Sequence, residues 1–164
     1  MSELVEFLRE RLIEDEQTLH DAGGLLCQWD TRPGPDAPEE EAEVWASGRF
    51  LLVPAMPVDQ ARHIARHDPA RVRREVEAKR DLLMRYERHL AEKKDLQAAL
   101  DEAEQAVEHE ERTGEWTKPA GWLRNLNREG ERLETRGSVL RALMRAAAAV
   151  YQDHPDYEDS WRIQ

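Results

Sequence analysis

At 164 residues the chain is long enough for one domain with a real core, or for a small domain carrying an appendage. Its residues are 40% apolar and 36% charged, with only two Phe, three Tyr and five Trp, which suits long solvated helices and a core of Leu, Val and Ala. The net charge of −11 opposes a phosphate backbone and excludes ordinary nucleic-acid binding, and no apolar run approaches the roughly 20 residues of a membrane span.

Residues 3–21 read as an amphipathic helix, with Leu4, Val5, Leu8, Leu12 and Leu19 near one face and Phe7 beside it. Ser2 suits the N-cap, and Gly23-Gly24 ends the helix. Residues 1–20 carry too much charge for a signal peptide. The lone cysteine, Cys27, leaves no partner for an intrachain disulfide or a Cys-based zinc cluster, so a reducing cytoplasm is expected. From Thr31 to Glu43, Pro33-Gly34-Pro35 and four glutamates predict an exposed loop. Leu25, Leu26 and Trp29 precede it. The runs Val44-Trp45-Ala46 and Arg49 to Val53 around Ser47-Gly48 predict a β-hairpin in an antiparallel sheet of two or three strands, closed by Pro54 and Pro57. A sheet that small needs a helix against one face.

Asp59 is expected to cap a short helix over 60–67. Asp68 then caps a new helix with Pro69 at its first position. That helix carries Val72, Val76, Leu83, Tyr86 and Leu90, then Leu96, Leu100, Ala103 and Val107, at spacings near three and four. Lys79, Lys93 and Gln97 interrupt the seam, so the coiled-coil heptad is incomplete. Thr113-Gly114 and Lys118-Pro119 bracket a turn. A second long helix runs from about Pro119 to Tyr151, with Trp122, Leu126, Leu133, Leu140, Leu143, Ala147 and Val150 on its expected inner face. The two helices form an antiparallel hairpin, and the segment from Gln152 folds back with Tyr157 and Trp161 as anchors. The fold class is mostly α with a small antiparallel β-hairpin, an α+β arrangement.

Two phrases concentrate histidine, aspartate and proline: His63 to Arg71, and His154 to Trp161. They are expected to meet in space. His63 and His67 stand four apart and face the same way on one helical turn, a two-point metal clamp that His154 and Asp156 could complete for zinc, manganese or iron. Glu16 and His20 repeat the four-residue step and are further candidate ligands. The plainer alternative is structural: His67 bonds the last carbonyls of its own helix and Asp68 caps the next. Arg62, Arg66, Arg71, Arg73 and Arg74 crowd the same region. They suit a carboxylate or phosphate ligand near the helix start at Pro69, or internal pairing with Asp153, Asp156, Glu158 and Asp159. No Gly-x-Ser-x-Gly elbow, phosphate-binding loop or dinucleotide fingerprint occurs, so no catalytic residue is assigned and no cofactor is expected, a divalent metal excepted.

The block Leu4 to Glu16, the phrase His63-Ile64-Ala65-Arg66-His67-Asp68-Pro69-Ala70-Arg71-Val72 with Glu75 to Arg80 after it, and Asp153-His154-Pro155-Asp156-Tyr157 with Trp161 resemble a small uncharacterised family, a domain of unknown function found in actinobacteria and their phages. The resemblance implies a cytoplasmic protein and supplies no activity and no catalytic residues. Against the family's shorter middle, residues 87–138 look like an added helical hairpin, leaving 1–86 with 139–164 as the common body.

The first functional expectation is an interaction or assembly protein whose partner is another protein or a second copy, with a homodimer through the long helices and with Trp116 and Trp122 as candidate anchors. Packing of the two indoles on each other at the turn is the equal alternative. The second expectation is a metal or anion site at His63, His67, Arg71, His154 and Asp156. The third follows from the acidic ends, since residues 1–43 hold 13 acids against 3 bases: a decoy that mimics DNA charge.

Overall fold

The computed structural model describes residues 2–21, 28–34, 38–114 and 119–163. The Gly23-Gly24 stop, Leu25, Leu26, Cys27, Trp116 and the Ser2 side chain, on which expectations rested, lie outside the described residues. The fold is α+β: α1 (Ser2–Asp21), β1 (Trp29–Arg32), β2 (Glu41–Ala46), β3 (Phe50–Pro57), α2 (Val58–Arg66), α3 (Pro69–Thr113) and α4 (Pro119–Ala148), then two short 3₁₀ turns, Ala149–Tyr151 and Asp159–Trp161. The chain divides into two compact units, residues 6–80 and residues 1–5 with 81–164.

In the unit of residues 6–80, the antiparallel sheet has the order β1-β2-β3. Period-2 alternation turns Ala42, Val44 and Ala46 of β2 inward, where they meet Ala61 of α2. These small side chains let α2 lie close, and Trp29, Val53, Met56, Ile64 and Ala65 pack around them. The β2–β3 connection is the predicted Ser47-Gly48 turn. Both residues have positive φ, 47° and 66°, the backbone that matches the twist of a tight hairpin. A Cβ on Gly48 would lie 2.7 Å from an Arg32 guanidinium nitrogen, a flexible side-chain end that can move aside, so the positive φ is what favours glycine there.

Two local expectations are corrected in this unit. The loop expected from Thr31 to Glu43 is shorter: Thr31 and Arg32 belong to β1 and pair with Val44 and Glu43, and Glu41 to Glu43 begin β2. Arg32 bonds Asp30 of its own strand at 2.9 Å and lies over the Trp45 ring of β2, a cross-strand contact that no local pattern encodes. Asp59 does not cap α2. The helix starts earlier, directly from Pro57, and the Val58 N–H donates to the Glu40 carbonyl at 2.9 Å; a hairpin carbonyl thus satisfies a donor left open at the helix start. Asp59 instead pairs with Arg62. The α3 start follows the expectation, with Asp68 Oδ1 accepting the Arg71 N–H at 2.6 Å and Pro69 at the first position. Within the same unit, α1 is tied to the start of α3 by the Lys79–Asp15 and Arg80–Glu16 ion pairs.

In the other unit, α3 and α4 run antiparallel. Lys93 bonds Glu134 at 2.9 Å, Arg136 pairs with Glu92, and His89 lies against Gly137. Residue numbers rise along one helix as they fall along the other. The inner face of α4 consists of Leu133, Gly137, Met144 and Ala148, spaced 4, 7 and 4. This corrects the expected face: Leu143, Val150 and Trp122 are exposed, as is Leu90 on α3, where His89 is buried instead. Moving from residue 143 to 144 rotates the seam by about 100°. The cause is steric. The imidazole of His89 needs a position without a side chain, and Gly137 supplies it.

Candidate functional site

His63 and His67 are brought together as predicted, with ring centroids 4.6 Å apart on the last turn of α2. Both rings are exposed. His67 Nδ1 stands 2.9 Å from the His63 carbonyl, so Nδ1 carries the proton and donates to the helix end. Only Nε2 of His67 remains for a ligand. His67 lines an apolar cleft of about 190 Å³ with Leu19, Trp29, Pro69 and Val72. Arg71 pairs with Glu75 at 2.8 Å and donates to the Arg66 carbonyl. Glu16 is occupied by Arg80, and His20 lies exposed in the last turn of α1.

His154 and Asp156 are also brought together, with Nδ1 and carboxylate 3.7 Å apart. The Asp156 N–H donates to the same ring nitrogen at 3.2 Å, and Asp159 pairs with Arg162. The two histidine phrases therefore each build a local cluster, the first in the unit of residues 6–80 and the second in the other unit. Among the described residues, no group of three or more His, Cys, Asp or Glu is placed to hold a metal ion.

The helical pair holds two features that the sequence reading missed. His89 is 1% exposed, and neither ring nitrogen has a hydrogen-bond partner among the described residues. Burial lowers its pKa below the ordinary 6.5, and the positive charges of Arg136 and Arg141 push it further down against the opposing pull of Glu92. The ring is therefore neutral at pH 7. Beside it, Glu134 accepts hydrogen bonds from Lys93 and Arg141, which hold its carboxyl below the usual range. The visible signal for His89 was its offset of three from Tyr86, continuing the step from Leu83 to Tyr86.

The second feature is the outer face of α4. Val139, Leu143, Ala146 and Val150, the last in the following 3₁₀ turn, recur at 4, 3 and 4 on the side opposite Gly137 and Met144. The three large side chains are 56%, 48% and 65% exposed and form one contiguous apolar stripe. Along one flank the tail folds back, so that Ile163 and Arg162 border a cleft with Ala142 and Arg145. Trp161 is buried and meets Tyr157 edge-on at 5.6 Å, as expected of the tail's anchors. Trp122, on the first turns of α4, is partly exposed.

These features describe an α+β protein with a long helical hairpin and an outward apolar stripe, in which no described histidine cluster reaches a metal cage. The chain belongs to a family of unknown function, DUF6221, whose model matches residues 1–163. No curated protein and no solved structure matches it. No helix among the described residues is long and apolar enough to cross a membrane.

Proposed function

We propose that this chain is a non-enzymatic interaction or assembly protein of the cytoplasm that engages a protein partner through the outer face of α4. The observation that carries this reading is the exposed Val139–Leu143–Val150 stripe. Contiguous large apolar side chains left on one exposed helix face mark an interaction site. Against a DNA-mimicking decoy, the first part of α3 interleaves carboxylates with arginines in pairs such as Arg71–Glu75, Arg73–Glu77 and Arg85–Asp81, so acids do not run unbroken along that stretch.

Photo-cross-linking in the cell that makes the protein tests this. A benzoyl-phenylalanine at Ala146 should give one or a few discrete protein adducts, with the same chain or another. The same probe at Glu102, on α3, should give none. Absence of any adduct at Ala146 overturns the reading.

A further inference from the structure

The occupant of the α4 outer face can be named from the charges at its two ends. Arg128 and Arg132 stand four apart and exposed at the N-terminal end of the stripe, Arg132 beside Glu129 of its own helix. At the other end the exposed acids of the tail follow, Asp153, Asp156 and Glu158. A partner helix that suits this face is basic at one end, acidic at the other and apolar between. This chain carries that pattern itself.

We infer that a second copy of the chain docks here, α4 against α4, antiparallel about a two-fold axis between residues 144 and 145. That register sets Val139 opposite the partner's Val150 and Leu143 opposite the partner's Ala146. Arg132 then faces the acidic turn that follows the partner's α4 and contains the partner's Asp156, while Arg136 stays with Glu92 of its own chain. A parallel pair would set arginine against arginine and is disfavoured. Small Ala142 and Ala146 allow close approach. The inference rests on the interaction reading and narrows it to self-association. The apolar stripe spans only roughly 17 Å at 1.5 Å per residue. The contact is therefore below standard interface size, and a dissociation constant on the order of 10–100 µM is expected.

Sedimentation of the full chain from about 1 to 500 µM, a range that brackets so small an interface, tests it. Wild type should shift from monomer to dimer. Leu143→Glu should remain monomeric with unchanged circular dichroism and melting temperature, because Leu143 lies outside the core. Arg132→Glu and Asp156→Lys should each weaken the dimer about tenfold, the loss expected when an opposite-charge contact becomes a like-charge one. An equimolar mixture of those two variants should form a heterodimer at wild-type strength, since each reversed charge then meets its opposite. A strict monomer overturns self-association while an Ala146 adduct to another protein keeps the interaction reading. A dimer indifferent to Leu143→Glu and to the charge swap overturns the α4 register alone.

Discussion

The inner and outer faces of α4 carry similar apolar content and differ entirely in fate. Leu133, Met144 and Ala148 are buried beside Gly137, while Val139, Leu143 and Val150 stand in water a half-turn away. Periodicity cannot rank two stripes on one helix, because both repeat at 3.6 residues. What separates them is a single fit of shapes, the His89 ring against a residue with no side chain.

The largest expected effect comes from the side chain that fills the inner seam. Met144→Ala should cost about 3 kcal/mol through lost burial and a residual cavity, whereas Leu143→Ala should stay within about 0.5 kcal/mol. Urea unfolding at a concentration below dimerisation measures both. Equal costs for the two would erase the distinction between the faces. Next is the fit itself. Gly137→Ala gains helix propensity, but its Cβ would come within 2.9 Å of His89 Cε1. A net loss of about 1–2 kcal/mol is expected from overpacking, and His89→Ala in the same chain should recover most of that penalty, a coupling that a double-mutant cycle reads.

A smaller effect concerns pH. The pKa of His89 is lower in the folded chain than in the unfolded one, so the unfolded state binds more protons near and below pH 6.5. The contribution to stability is whole above the unfolded value of about 6.5 and is lost as pH falls through the folded value. His89→Leu removes two unpartnered nitrogens, so it should flatten the melting-temperature profile between pH 7 and 5 and leave stability at pH 7 equal or higher. A profile as steep as wild type would assign the acid sensitivity elsewhere. Glu134, whose carboxyl is held low by Lys93 and Arg141, acts in the same direction but only at more acid pH, near and below its ordinary value of 4.5.

The smallest expected effect concerns the paired histidines of α2, set against the buried His89. Zinc or manganese at tens of micromolar should leave the melting temperature within about 1 °C, because one His67 nitrogen is committed to the helix end and strong stabilisation requires a site preferring the folded state. A rise of several degrees, abolished by His63→Ala, would instead make the α2 turn a metal site.

Much of the fold was legible because it is written in local signals. Asp68-Pro69 marks the start of α3, and Ser47-Gly48 marks the hairpin turn; both work through the backbone of their own neighbours. The α+β class and the two long helices follow from period and punctuation in the same way. The α2 start was misplaced because its first donor goes to Glu40, a residue across the sheet connection. Of the candidate site, the His63–His67 and His154–Asp156 pairings were legible as short-range steps. Of the apolar stripe, Leu143 and Val150 were visible but assigned to the inner side of the helix, and Val139 was not singled out.

The amino-acid sequence alone determined where elements begin, which of them are amphipathic, and how charge is divided between the ends, because each depends on residues within a turn or two of one another. Tertiary structure alone decided which stripe of α4 faces α3. That choice depends on the volume of His89 against the absence of a side chain at Gly137, two positions 48 residues apart whose complementarity exists only once the helices are side by side.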